Sequence, residues 1–380
     1  MDRLNNMRPQ KNGISDLSGS SSSNNQRTLT PDKSASPRLD GLDLARFVAF
    51  FGMVIVNFKI AMGAEGDTGV LNFLTRALEG RAAATFVVLA GIGLGLAALR
   101  SDLGQTVSVT IKRAIFLFVV GLLNSLVFDA DILHYYAFYF LFGVLLLSLS
   151  NHWLVTSIVL LNTLFVVMML SLDYDKGWNW DDYTYSDFWS PAGFIRNLFF
   201  NGWHPVIPWL GFLLLGIVLS RLKLAERGVQ HRLILFGVAA FVVAEALSLA
   251  LTGALNAIDP ELGILATTEP VPPMPLYLLA GSGAASAVIG LCLRFSGQLE
   301  KLGLLHVLTP AGRQTLSLYI AHILVGMGTL EGLGMLGGQS LVTALFASAL
   351  FCVIATIYAL IWHRFFKRGP IEALMRRVAG

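Results

Sequence analysis

The chain has 380 residues, 55% of them hydrophobic and only 13% charged, with a net charge of +3. A water-soluble domain carries about a quarter charged residues, so this composition excludes a soluble globular enzyme. The mean hydropathy of +0.66 and repeated apolar runs of membrane-crossing length predict an all-α, polytopic membrane helical bundle.

Residues 1–38 come first and are polar, rich in Ser, Asn, Gln and Pro, with six Lys or Arg. They cannot bury enough apolar surface to fold, so they are expected to form a disordered basic cytoplasmic tail. They hold no apolar core of a cleaved signal peptide. Residues 39–380 form the membrane domain. Ten apolar spans follow in chain order: 42–62, 83–100, 111–129, 132–150, 153–172, 205–222, 232–252, 274–294, 309–329 and 340–365. Cys292 and Cys352 lie inside such runs and read as small buried side chains, neither a disulfide nor a metal site.

With ten spans, most Lys and Arg fall on one side: the tail, Arg100, Lys112 and Arg113, Arg221 to Arg232, Arg294 to Arg313, and the closing Arg364 to Arg377. The positive-inside rule makes that side the cytoplasm and puts both termini there. The opposite side carries acidic and aromatic loops, above all "DYDKGWNWDDYTYSDFWSPAGFIRNLFFNGWH", with Arg76, Arg81, Lys176 and Arg196 as basic exceptions.

Ionisable groups inside spans are costly and therefore informative. Arg46 in "LDLARFVAFF" is either a snorkelling anchor or a buried cation facing a cavity that could take a phosphate. Asn57 follows three turns later, close to the same helix face. Asp131 and His134, three apart in "DILHYYAFYF", share a face. A carboxylate there could orient the imidazole as a general base, or Asp131 could simply cap a helix. His204, in "NGWHPVIPWLGFLLLG", stands at the outer start of span six, either an interfacial ring or a proton-transfer group. Pro205 and Pro208 in the first turn would stiffen that start. His322 in "LYIAHILVG" lies deeper, as a core histidine or a base. Glu245 in "FVVAEALSL" is a mid-span carboxylate with no evident partner, either lining a cavity or protonated and structural. No phosphate loop, metal-spaced cluster or nucleic-acid surface is evident.

Several stretches together resemble the YeiB-type (DUF418-like) bacterial inner-membrane proteins: "RLDGLDLARFVAFFGMVIVN", "GRAAATFVVLAGIGLGLA", "DILHYYAFYFLFGVLLL", "HPVIPWLGFLLLGIVLSRL", "GRQTLSLYIAHILVG" and "FFKRGPIEALMRRV". The resemblance covers about 38–377, with a DUF418-like C-terminal part at about 220–380, and the closing Arg-Gly-Pro-Ile-Glu segment is its most specific piece. These proteins are in turn similar to the transmembrane acyltransferases, including heparan-α-glucosaminide N-acetyltransferase and the acyltransferase-3 enzymes. The resemblance implies transfer of an acyl group from cytoplasmic acyl-CoA, such as acetyl-CoA, to a sugar-like or other small-molecule or glycan acceptor outside. It implies no metal, and no partner beyond membrane lipids and the acceptor. Arg46 would match the span-one arginine, and Asn57 the asparagine of the heparan-type "VN" ending. The heparan-type histidine after span one has no counterpart in "FKIAMGAEGDTGVLNFLTRALEGR". The base would then be His204, His134 or His322, with Asp131 as orienter. Arg46 and Arg113 would stand near the CoA phosphates, with Asn57 and Glu245 lining the ligand cavity. The rival classes are a small-molecule transporter, for which Glu245 and the span-six prolines would serve, and a non-catalytic membrane scaffold.

Overall fold

The computed structural model describes residues 39–64, 69–259 and 262–380; the tail 1–38 lies outside the described residues. The helices are α1 (Asp40–Ala61), α2 (Val70–Arg76), α3 (Arg81–Ala98), α4 (Leu103–Asn124), α5 (Leu133–Leu146), α6 (Asn151–Ser171), α7 (Pro191–Arg196), α8 (Val206–Ser220), α9 (Arg227–Asn256), α10 (Pro275–Lys301), α11 (Leu305–Arg313), α12 (Thr315–Ala321), α13 (Gly328–Gly332), α14 (Leu341–Phe365) and α15 (Pro370–Ala379). Among the described residues the only strands are a two-residue pair, β1 (Trp178–Asn179) and β2 (Thr184–Tyr185), antiparallel with Trp178 opposite Tyr185. The protein is an all-α membrane bundle.

Each predicted span falls on helix, but not every one is an unbroken crossing. Among the described residues, seven helical stretches are long and apolar enough to cross a membrane, or eight if a bent pair counts as one span. That pair is α7, continued by a π-turn at Asn197–Asn201, and α8; they meet at 50°. The predicted fourth span is the 14-residue α5. The ninth is interrupted: Pro310 lies inside α11, Gln314 leaves helical geometry, and α12 passes into a π-turn at His322–Met327. α11 accommodates Pro310, and the chain leaves the helix four residues later, at Gln314 (φ −116°, ψ 23°).

Span six also starts differently from expectation. Ile207 is extended (φ −99°, ψ 112°), so the regular helix begins at Pro208 and not at Pro205. The residue before a proline is pushed out of the helical region by the pyrrolidine ring. The preceding stretch, read as loop from the sequence, contains α7, capped by the Ser190 hydroxyl accepting the Gly193 N–H and opened by Pro191.

α1, α3 and α10 form the centre, with more than half of their apolar windows buried, whereas α6 and α9 bury only 11% and 17% and turn their apolar faces outward. The central helices approach closely through glycines, as expected where no water drives helices together. A methyl group at Gly91 of α3 would lie 2.1 Å from the Leu213 carbonyl oxygen of α8, and one at Gly216 of α8 would lie 2.1 Å from the Val88 carbonyl oxygen. Gly237 of α9 and Gly283 of α10 meet in the same way.

Two ends of the bundle can be told apart by their ion pairs. Where α1 starts, Arg313 donates to Asp40 (2.8 Å) and Asp43 (2.9 Å). Where α1 ends, three of the four basic exceptions are paired: Arg76 with Glu269 (2.8 Å), Arg81 with Glu245 (2.8 Å) and Arg196 with Asp187 (2.6 Å), beside a Lys59–Glu79 pair at 2.7 Å.

Because the α3–α8 contact is backbone against backbone, Gly91→Ala should lower the apparent stability of detergent-purified protein by about 1–3 kcal/mol through overpacking. Gly228→Ala, where a methyl group meets nothing within 4 Å, should change it only slightly. Thermal unfolding of the two variants side by side checks this; equal melting would disprove the close crossing.

Candidate functional site

At the end where α1 starts, a cavity of about 400 Å³ opens between α1, α3, α4, α5 and α15. That volume is within the range of small-molecule sites. Three arginines line it: Arg46, Arg113 and Arg376. Arg46 is partly buried, its side chain 28% exposed, and is held by Asp43 at 2.6 Å. Asp43 itself is 1% exposed and also accepts from Arg313, so it fixes the guanidinium of Arg46 beside Gly93 of α3. Arg113 is half-buried on α4, and its Nε is buried without a partner. Thr106, Thr110, Gln105 and Ser101 complete the polar wall. Two of the residues expected near a phosphate, Arg46 and Arg113, thus line one cavity.

A second cluster lies deeper, where α5 begins. Asp131 is fully buried. Its carboxylate accepts from the Asn124 amide (2.7 Å), the Leu133 N–H (2.8 Å), the His134 N–H (3.3 Å) and the Tyr319 hydroxyl (3.1 Å). It therefore caps α5 and, at 3.3 Å, also faces His134 Nδ1. With Nδ1–H held by a carboxylate, the basic lone pair of a neutral imidazole is on Nε2. His134 Nε2 is buried and has no partner. Its ring stacks on Tyr135 (centroids 3.9 Å apart) and is covered by Phe188 and Phe194 from the loop and helix that precede α8.

His204 belongs to the same buried aromatic cluster. Its ring stands edge-on to the other side of the Tyr135 environment (5.9 Å) and to Trp209 (4.7 Å). Its Nδ1 is buried without a partner, while its backbone carbonyl accepts the Tyr139 hydroxyl at 2.6 Å. The β1–β2 loop packs on the adjoining Asn201–Trp203 segment and covers this side of the cluster. Arg196 ties Asp187 to the Tyr185 hydroxyl, and the buried Asn201 amide donates to the Tyr174 and Lys176 carbonyls. Trp178 and Trp180 stack there at 4.5 Å, with Trp203 edge-on to Trp178. Nearby Asp129 has its carboxyl pushed above the usual range, by burial first and by Asp182 second.

His322 and Asn57 form a separate pair. Asn57 Nδ2 lies 2.9 Å from His322 Nε2, and His322 Nδ1 contacts the Tyr319 carbonyl. With Nδ1–H donated to the carbonyl, Nε2 accepts from Asn57. Both ring nitrogens are engaged and the side chain is fully buried. Asn57 does not line the arginine cavity, although it shares α1 with Arg46. Glu245 also stands apart. The sequence showed no partner for it, yet Arg81 at the start of α3 donates to one of its oxygens (2.8 Å) and Thr268 to the other (3.0 Å). The partner was hidden because it comes from another helix, 164 residues away.

Residues 38–250 match the family described as heparan-alpha-glucosaminide N-acetyltransferase, catalytic, which is more than half of the chain. The chain belongs to this family. Residues 214–380 match a second family, described as a protein of unknown function (DUF418). No curated protein matches the chain. It is a membrane protein built on an acetyltransferase-like catalytic domain. The N-acetyltransferase match contains Arg46, Asn57, Arg113, Asp131, His134 and His204; His322, Tyr319 and Arg376 lie in the second match alone. The Tyr319–Asp131 hydrogen bond joins the two parts.

Tyr319, Asn124 and Arg376 were not singled out from the sequence. Tyr319 sits three residues before His322, the spacing that places two side chains on one helix face, and that signal was available. Arg376 had only its place in a basic run.

The Arg81–Glu245 pair gives a direct test. Glu245→Gln leaves the Arg81 guanidinium, 7% exposed, without its counter-charge. The expected loss of apparent stability is about 2 kcal/mol, below the cost for a wholly buried pair because Glu245 is half-exposed. An Arg81→Met, Glu245→Leu double variant should recover most of it. A double variant as unstable as the sum of the singles would show that the two residues do not act together.

Proposed function

We propose that this protein is an acyl-CoA-dependent transmembrane acyltransferase of a bacterial inner membrane. In this reading the chain crosses the membrane about ten times with both termini in the cytoplasm, α5 and the α11–α13 segment serving as short or broken crossings. The observation that carries it is the relation of the two clusters. Phe140 of α5 lines the arginine cavity, and His134 lies six residues earlier on the same helix. Six residues of helix rise about 9 Å, so a thioester arm reaching past the cavity would arrive at the histidine chamber.

The donor phosphates would be held by Arg46 and Arg113, whose guanidiniums suit charge-assisted pairing with phosphate. The acceptor, a small molecule or glycan bearing a hydroxyl or amine, would come from the opposite side beneath the aromatic roof. His134, oriented by Asp131, would take the proton from the acceptor through Nε2 as the nucleophilic oxygen or nitrogen attacks the thioester carbonyl carbon. The C–S bond then breaks, and the proton passes from His134 to the departing thiolate. His204 is the alternative base in the same chamber. Holding both reactants there would supply much of the rate by proximity. His322 is less suited, because Asn57 occupies its basic nitrogen. The family match supports an acetyl group as the one transferred. The pairing of Glu245 with Arg81 removes the unpartnered mid-span carboxylate that favoured a transporter. Surrounding lipid is the other expected partner; no role with nucleic acid is proposed.

Acetyl-CoA should raise the melting temperature of the purified protein, and purified protein should transfer label from acetyl-CoA to an acceptor. Arg46→Gln and Arg113→Gln should raise KM for the donor, while His134→Ala should lower kcat by about 10²–10⁴-fold. Full activity in both His134→Ala and His204→Ala would overturn the assignment of the base. Absence of a thermal shift with any acyl-CoA would overturn the donor.

A further inference from the structure

The arginine cavity has a wall that the acyltransferase reading leaves unexplained. Arg376, on α15, lines it together with Arg46 and Arg113 but belongs only to the part of the chain matched by the family of unknown function. Arg376 lies close enough to Arg113 for the two charges to repel. Like-charged guanidiniums facing one cavity are stabilised when an anion lies between them.

The structure also explains how Arg376 is kept there. α15 packs on α4 and α12. Its Glu372 accepts the backbone N–H groups of Leu316 (2.8 Å) and Ser317 (3.1 Å) and the Ser317 hydroxyl, so it caps α12 from a distant part of the sequence. The Ile371 N–H donates back to Ser317 Oγ at 2.9 Å. Burial raises the Glu372 carboxyl above its usual range, and these hydrogen bonds oppose that rise. One helical turn beyond Glu372, Arg376 falls on the same face of α15.

We propose that α15 is a clamp that completes a phosphate-binding site: Arg376 contacts the ligand's phosphate, and Glu372 is its positioning residue. This rests on the reading of the cavity as the donor site and adds a specificity-determining cation to it. The ligand chemistry is a phosphate dianion or diphosphate, as in a nucleotide-type cofactor.

The test uses the full chain in phosphatidylcholine nanodiscs, with equilibrium binding of CoA and of inorganic pyrophosphate. Arg376→Gln should weaken binding about tenfold, the worth of one charge-assisted hydrogen bond, with Arg376→Lys recovering part of it. The salt dependence of binding should also become shallower in Arg376→Gln. Glu372→Gln should weaken binding too, yet an Arg376→Gln, Glu372→Gln double variant should bind no more weakly than Arg376→Gln alone, which a merely structural role for Glu372 would not produce. Pyrophosphate binding that is lost in Arg376→Gln, without any CoA binding, would support the clamp while overturning the donor reading. Wild-type affinity in Arg376→Gln, or additive losses in the double variant, would overturn the clamp. Loss of CoA and pyrophosphate binding when phosphatidylglycerol enters the nanodisc would show the site to hold a lipid headgroup, and would overturn it as well.

Discussion

A carboxylate buried without water must find all its partners within the protein, and Asp131 does so by joining three helices. It accepts from Asn124 at the end of α4, from the first N–H groups of α5 and from Tyr319 on α12. In a membrane an unsatisfied group at that depth would cost several kcal/mol. The start of α5 is therefore fixed relative to α12, and His134 follows because it is one turn along. The same carboxylate that closes the helix end orients the imidazole. Capping and catalytic orientation, which the sequence leaves as alternatives for Asp131, are compatible in one geometry.

That anchoring runs further than α5. The Tyr319 hydroxyl reaches Asp131, and its carbonyl reaches His322, whose other nitrogen meets Asn57 of α1. A line of polar contacts thus connects α5, α12 and α1 through the apolar interior. It passes across the two regions that match different families, so neither region holds the site by itself. The break between α11 and α12 at Gln314 belongs to the same arrangement. It frees the first N–H groups of α12, which Glu372 then satisfies.

The helical membrane class was legible because composition and apolar run length are one-dimensional properties. So was the location of the ten apolar segments, whereas α2, α7 and α15 were not read as helices. Less legible was which segments run unbroken: α5 is short and the ninth span is interrupted, because side chains from other helices, Tyr319 and Glu372 among them, decide where those helices start. The Ser190–Pro191 cap that begins α7 was a local signal and could have been read. Among site residues, Arg46 with Arg113 and His134 with Asp131 are near one another as the sequence suggested. Glu245 could not be understood alone, since Arg81 is brought to it only by the packing of α3 on α10, which in turn packs on α9.

The separation of the two clusters also constrains any chemistry between them. Partly exposed Arg46 lines the arginine cavity, whereas His134 lies beneath Phe188 and Phe194 with its Nε2 enclosed. Under the proposed acyl transfer, an acceptor coming from the aromatic end would have to displace part of that cover, which is held by the Asn201 and Arg196 hydrogen bonds and not by a continuous helix. A roof built from a two-residue strand pair and a bent helix opens at lower cost than a packed span, because fewer buried contacts are lost. The excluded water that such a cover provides would protect a thioester from hydrolysis until an acceptor arrives. The break at Ile207 delays the regular part of α8, and the bent pair meets at 50° beside the imidazole that Asp131 contacts.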